Sequence, residues 1–353
     1  MKTLLTSLFF LLMGLMIIFL VAYYIWLCIR FPKHIDAVYT WVEYDENLEH
    51  EIEKKQKTIV KANYTDNNEL LFSLRSLELY APWFHHIFIV VRDGQRPKWL
   101  GAHPKITIIT HSQIMPEEIL PTFNSLVIES FLHKIPGLCE HFVYFNDDMI
   151  LMNPVKKTDF FSLKGIPIES QCHEVRVSDT PIKISSKGIT IQPKEYSFSE
   201  MIYFNNVLLD YFFKKEKRYQ AQHSPSPYRK SYMEELDKFL QNISFNSEVS
   251  VDHITKTSSR RENYNIARNS VFKKYWNIYK YGSKQKVMDV IYIEINHLRS
   301  VNLDEVESSR DSFLCIQNSI AYGDPNTNIG VDDYERLTKI LYKKFPKPSV
   351  FEK

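Results

Sequence analysis

The sequence runs to 353 residues, with 44 Lys and Arg set against 42 Asp and Glu for a formal charge of +2. That balance gives no global field for holding a polyanion, and 44% hydrophobic with 24% charged residues excludes a disordered chain. The four cysteines, Cys28, Cys139, Cys172 and Cys315, show no CxxC spacing, so neither a disulfide scaffold nor a zinc module is expected.

Residues 3 to 29 carry no charge. Leu8 to Ile29, at about 1.5 Å per residue, extends roughly 33 Å, enough to cross a bilayer's hydrocarbon. A cleaved signal peptide would have a shorter apolar core followed by small residues. Here Tyr23, Tyr24, Trp26 and Leu27 close the run instead, so residues 1–30 are expected to be an uncleaved anchor that meets the membrane through residues 4–29.

Beyond the anchor, Ile35 to Val42 (IDAVYTWV) is β-branched and aromatic and predicts a buried strand. Glu43 to Lys61 is polar and predicts a surface helix or excursion. Asp66, with Glu69 three residues on, reads as a helix N-cap. Leu70, Leu74, Leu77 and Ala81 then repeat at helical spacing, and Pro82 ends the helix. Further strands are expected at Ile87–Val91 and Ile106–Thr110. A second helix is expected over Thr122–Ile135, and a fourth strand over His141–Phe145 runs into Asn146-Asp147-Asp148.

Strands alternating with helices imply a mostly parallel α/β sheet, which binds ligands at the carboxyl ends of its strands. Asp147 and Asp148 fall there. Adjacent carboxylates repel unless something positive joins them, so they point to a divalent cation bound through oxygen. A helix cap or turn would use the same residue types. His85-His86 has no ligand context in the sequence and reads as ordinary surface.

The second half is expected to hold short antiparallel strands over 166–215 and a helix near Phe198–Phe213. Ile254 to Lys286 interleaves Arg260, Arg261, Lys273, Lys274 and Lys280 with Tyr264, Phe272, Tyr275 and Trp276, against one acid, Glu262. Such a strip suits single-stranded nucleic acid, a phosphorylated donor, an anionic glycan, a lipid surface, or a solvated helix face with its aromatics in the core. There is no P-loop, GxGxxG or GxSxG.

Four blocks, in order, resemble the Stealth family of sugar-1-phosphate transferases, which includes bacterial capsular polysaccharide phosphotransferases. The first block is Ile35 to Val42. The second gathers Asp66-Asn-Asn-Glu-Leu, Ser73-Leu-Arg-Ser76, Tyr80-Ala-Pro-Trp83, Asp93-Gly-Gln95, Leu120 to Ser125, Ile135-Pro-Gly-Leu138 and Tyr144 to Asp148. The third is His223 to Pro227 with Arg260-Arg261, and the last is Phe313-Leu-Cys-Ile316 with Pro348 to Glu352.

The resemblance implies an α/β core similar to a GT-A-like glycosyltransferase. Residues 35–165 would form the nucleotide-sugar-binding half, and residues 166–353 would complete the catalytic domain. An acceptor hydroxyl of a glycan would attack the sugar-bearing phosphorus of a nucleotide sugar, a UDP-sugar being favoured, and nucleoside monophosphate would leave. Asp147 and Asp148 would hold Mg²⁺ or Mn²⁺. Asp148, His223, Arg75 and Arg261 would be catalytic. Asp36, Tyr39, Trp41, Asn124, Ser125 and Arg260 would line the donor site. No nucleic acid partner is expected.

A metal-dependent glycosyltransferase releasing a nucleoside diphosphate and an inactive glycan-binding member are the alternatives. The second is motivated by Gln317-Asn318, where the family usually has Asn-Asp. Glu43 and Leu71 depart from the family pattern as well. A bacterial inner-membrane protein with a cytoplasmic catalytic domain is the favoured location, against a Golgi enzyme with a lumenal one.

Overall fold

The computed structural model describes residues 2–53, 66–123, 125–172, 182–185, 188–191, 198–241, 270–294, 306, 308–317 and 331–353. Its first element, α1 (Lys2–Arg30), contains an exposed window, Phe9–Trp26, of mean hydropathy 2.4. By length and composition this is a helix able to cross a membrane.

The main sheet has the order β3-β2-β1-β4-β9. Its strands are β1 (Ile35–Trp41), β2 (Ile87–Val91), β3 (Ile106–Thr110), β4 (His141–Asn146) and β9 (Ser226–Arg229). The first four run parallel, and β9 closes the edge antiparallel to β4. The expected α/β fold with a mostly parallel sheet is present. Alternation along β1 divides the core. Ala37, Tyr39 and Trp41 face one side, and Val38 faces the other with Phe88, Val90, Phe142 and Tyr144.

The helix α3 (Glu69–Tyr80) covers the first face. Leu70, Leu74 and Leu77 are buried there as their spacing predicts, each worth about 2 kcal/mol. Its opposite side, Leu71 and Phe72, packs on a second sheet of order β11-β12-β5 and on the closing helix Val331–Lys344. That sheet is β5 (Met149–Leu151), β11 (Val290–Glu294) and β12 (Phe313–Gln317). α3 is therefore apolar on both flanks, and Leu71 is part of the second core.

Two local expectations are corrected. The N-cap of α3 is Asn68, in the left-handed region at φ 68°, which Asn tolerates. Asp66 instead accepts the Trp41 indole N–H at 2.9 Å and the Asn68 N–H at 3.0 Å. The second helix is shorter than expected: after α2 (Glu46–Glu53) and α4 (His111–Ile114) comes α5, spanning only Ser125–Ser130, followed by a 3₁₀ turn at Leu132–Lys134. The Ser130 hydroxyl donates to the Val127 carbonyl at 2.7 Å, the side-chain competition that weakens a helix ladder.

In the second half, an antiparallel hairpin of β7 (Ile182–Ser185) and β8 (Gly188–Ile191) and the helix Phe198–Phe212 appear where expected, whereas β6 (Ile168–Ser170) pairs parallel, with β10 (Lys284–Lys286), rather than antiparallel. That helix, the helix Lys230–Gln241 and the helix Ser270–Tyr281 share a core of Leu208, Leu236, Phe272, Tyr275 and Trp276. In the described part of the basic, aromatic strip, Phe272 to Trp276 is therefore internal, while Lys280, Lys284 and Lys286 are exposed. Lys274 donates to the carbonyls of Ser170, Tyr219 and Gln220, and Lys273 is paired with Glu129 and Tyr228. Residues 254–269 lie outside the described residues.

Candidate active site

β4 ends at Asn146, and the chain turns through Asp147-Asp148 directly into β5. The turn thus joins the main sheet to the smaller one. β12 lies against β5, with Cys315 opposite Met149, and the Ile316 N–H donates to the Asp148 carbonyl at 3.0 Å. The sequence block Phe313 to Ile316 is therefore what holds the acidic turn in place.

Burial, then the carboxylates of Asp148, Glu69 and Asp66, push Asp147 well above the usual carboxylate range. Glu69 is itself pushed up to about 7, by burial above all and with Asp66 adding to it. Four acids from β4, α3 and the preceding loop thus press on one another at the carboxyl end of the sheet. Asp148 Oδ1 is buried and has no hydrogen-bond partner. An orphaned carboxylate oxygen beside three other acids fits a hard divalent cation bound through oxygen.

The other oxygen, Asp148 Oδ2, meets His223 Nε2 at 3.2 Å. His223 lies just before β9, which is hydrogen-bonded to β4, so the strand pairing delivers the imidazole to the turn. Burial lowers the affinity of His223 for a proton. The Asp148 charge, its hydrogen bond and Glu129 outweigh burial, and the net shift is upward. The ring is braced edge-on by Tyr292 at 5.8 Å, and the Cys315 thiol donates to the His223 carbonyl at 3.0 Å. Burial and the Asp148 charge hold that thiol protonated.

Of the residues singled out in the sequence, Asp147, Asp148 and His223 are brought together. Trp41 lies beside them through its bond to Asp66. Tyr39 is fully buried one layer deeper, with its hydroxyl 3.0 Å from Ser73 Oγ. Ser125 is exposed at the start of α5. Asn124, Arg260, Arg261 and Asn318 lie outside the described residues.

Two expected site residues are placed elsewhere. The Arg75 Nε and Nη2 form a bidentate pair with Glu352 at 2.8 and 2.6 Å, and Nη1 donates to the Phe345 carbonyl at 2.8 Å. Its guanidinium is engaged in fastening the end of the chain to α3. Asp36 sits at the amino end of β1. Its register partner is Phe142, so five residues of strand, about 16 Å, separate it from the level of Asp147.

At that amino end, Asp36 Oδ2 accepts the Cys139 N–H at 2.7 Å, and Oδ1 lies 3.1 Å from His85 Nδ1. His85 is thus not ordinary surface. The sequence could not show this, because the partners come from three separate segments. Glu69 and Asp66 were masked as functional groups by the capping pattern they also satisfy, though their place at the N-terminus of a helix facing Asp147-Asp148 was an available signal.

Residues 63–169 match the model for Stealth protein CR2, conserved region 2. The chain belongs to the Stealth family. Its relatives include the exopolysaccharide phosphotransferase SCO6023 of Streptomyces coelicolor, 36% identical over 60% of this chain and 35% of that protein. The capsular polysaccharide phosphotransferase LcbA of Neisseria meningitidis is 34% identical over 60% of each chain. The exopolysaccharide phosphotransferase cps2G of Lactiplantibacillus plantarum is 28% identical over 91% of this chain and 97% of its own. This Stealth chain therefore spans about a third to three fifths of the first two relatives. Among solved structures, the galactosyltransferase LgtC in complex with donor and acceptor sugar analogues aligns over 88% of the Stealth chain with a TM-score of 0.41 at 11% identity.

Proposed function

We propose that this Stealth protein is a membrane-anchored sugar-1-phosphate transferase. It moves sugar-1-phosphate from a nucleotide sugar, a UDP-sugar, to a hydroxyl of a glycan acceptor, releasing the nucleoside monophosphate, in building a phosphate-linked surface or capsular polysaccharide. The observation that carries this reading is the division of Asp148: one oxygen meets His223 while the other is buried and unpartnered, beside an Asp147 that feels the charges of Asp148, Glu69 and Asp66.

His223 is the general base. With Nε2–H donating to Asp148, Nδ1 is left as the proton acceptor, and the carboxylate stabilises the imidazolium that forms. The acceptor oxygen, losing its proton to His223, attacks the phosphorus next to the sugar; the bond from that phosphorus to the bridging oxygen of the diphosphate breaks, and UMP departs. Asp147 and the free oxygen of Asp148 would hold Mg²⁺ or Mn²⁺, which when bound neutralises charge on the diphosphate. Asp66 and Glu69 add to the negative potential that draws a cation there. Arg261 or Arg260 would supply the remaining positive charge, and Asn124 and Ser125 donor contacts. Residues 1–30 would anchor the catalytic domain to the cytoplasmic face of a bacterial inner membrane, where nucleotide sugars are made.

Incubating the full chain in detergent with Mg²⁺, UDP-sugars and glycan acceptors tests this by the nucleotide released. UMP is expected. UDP would mean that the sugar–oxygen bond was cut, making the protein a metal-dependent glycosyltransferase, and donor binding without either product would make it a glycan-binding protein.

A further inference from the structure

The amino end of the main sheet carries a second constellation that the proposed reaction does not use. Three adjacent parallel strands each contribute one group to it: Asp36 from the start of β1, His85 from the segment entering β2, and Cys139 from the segment entering β4. One ligand atom from each, a carboxylate oxygen, an imidazole nitrogen and the thiol sulfur, lie within 4.8 Å of one another. We propose that Asp36, His85 and Cys139 form a binding site for a borderline-soft divalent cation of the Zn²⁺ type, distinct from the carboxyl-end acids and independent of the reaction proposed for them.

The distances already suit a tetrahedral centre. With metal–ligand bonds of about 2.0–2.3 Å, ligand atoms of a tetrahedron lie roughly 3.3–3.7 Å apart. His85 Nδ1 is 3.1 Å from Asp36 Oδ1 and 3.8 Å from Cys139 Sγ. A cation would enter between them with shifts of a few tenths of an ångström. The site is also held from outside its ligands. The Cys139 N–H fixes the Asp36 carboxylate through Oδ2, and backbone bonds from His85 to Ile35 and from Ala37 to His86 lock the two strands in register.

The donor set decides the class. A thiol and an imidazole discriminate against Mg²⁺, which takes oxygen, and favour Zn²⁺ and its near neighbours. Asp36 is 1% exposed while the His85 side chain is 49% exposed, so the carboxylate anchors the floor and a fourth position opens to solvent. His34 packs edge-on against His85 with ring centroids 4.4 Å apart, placing another imidazole at that opening. On binding, the Sγ–H proton of Cys139 leaves to solvent as sulfur bonds the metal. The His85 proton sits on Nε2, and Nδ1 gives its lone pair to the cation rather than facing Asp36. Burial and the Asp36 charge otherwise push the thiol up to about 12, so Cys139 is no free nucleophile at neutral pH.

The test uses the full chain in detergent carrying Asp147→Asn and Asp148→Asn, which removes the two carboxylates proposed to hold Mg²⁺ and with them any dependence on turnover. Co²⁺ is the probe. One equivalent is expected to give a thiolate-to-cobalt band in the near ultraviolet and intense visible bands of a tetrahedral ion. Stoichiometric Zn²⁺ should displace it, and millimolar Mg²⁺ should not. Cys139→Ser should lose the near-ultraviolet band with its metal-free melting temperature unchanged, and His85→Gln, an exposed change, should weaken Co²⁺ binding by tenfold or more. Absence of a thiolate band, or a band that survives Cys139→Ser, would overturn the proposal. Loss of UMP release in the carboxyl-end variants with the cobalt spectrum intact would bear on the reaction alone.

Discussion

Asp36 and Asp147 stand on neighbouring strands of one sheet, at opposite ends, and their carboxylates live in opposite circumstances. Asp36 is flanked by the Cys139 N–H and the His85 ring. Asp147 is pressed by Asp148, Glu69 and Asp66, all acids. The first is fixed by groups that satisfy it and ties together the starts of β1, β2 and β4. The second is kept at an electrostatic cost of the kind that clusters at functional sites. Charge balance, more than the presence of an aspartate in a family block, distinguishes the two carboxylates: one is met by donors, the other by acids.

The contrast breaks most readily at Asp147 and Asp148. Replacing either by Ala should lower turnover by on the order of 10³-fold or more while the circular dichroism spectrum stays native. A near-normal rate in either would remove that residue from the site. In the cation-free protein the sign of the stability effect reverses. An acid whose folded affinity for protons is raised contributes stability at low pH that is lost as pH rises above the unfolded value of about 4. Asp147→Asn should therefore raise the melting temperature at pH 7, and a fall there would show that the four acids do not repel.

His223 sharpens the comparison from the basic side. His223→Ala should cost about 10²- to 10⁴-fold in kcat. Since Asp148 raises the imidazole's proton affinity in the folded state, its contribution to stability is fully present below about pH 6.5, the unfolded value, and lost as pH climbs through the higher folded value. Melting curves from pH 6 to 8 should show that slope in the parent and a flatter one in His223→Gln. Equal slopes would demote the Asp148–His223 contact.

Arg75 offers a compensated pair on the same helix that carries Glu69. Both partners are nearly buried, with side chains 8% and 11% exposed. Arg75→Ala should cost about 2–4 kcal/mol of stability, since it strands the Glu352 carboxylate. The kcat of the folded fraction should change little. A tenfold fall in kcat at unchanged melting temperature would return Arg75 to the reaction. Smallest of all, Tyr39→Phe removes one buried hydroxyl contact and should cost about 1 kcal/mol, read from urea unfolding, with no change in activity.

The sequence shows β1 to β4 and α3 clearly, because hydrophobic period is a local property and each of these elements is buried on a face its own residues define. Asp147-Asp148 could be singled out because the carboxyl end of a parallel strand is where such sheets bind ligands. His223 needed the family blocks to be singled out, and its contact with Asp148, 75 residues away, was not legible in the sequence. The Arg75–Glu352 pair is hidden for the same reason: Glu352 lies 277 residues away, and nothing near Arg75 announces it. Asp66 and Glu69 were hidden by ambiguity, as an N-terminal cap and an acidic cluster call for the same side chains.

The junction of the two sheets at Asp147-Asp148 has a consequence for when the protein becomes active. The acidic turn is made by mid-chain, yet its backbone is bound by Ile316 and the backbone of its partner His223 is held by Cys315. Contacts of such long sequence separation form late, after the loops between them have closed. A chain emerging from the ribosome therefore has its first sheet and its acids well before it has a working centre. Until β12 has been synthesised and docked, the nascent protein should lack the fixed acidic turn, and with it the activity proposed for that turn.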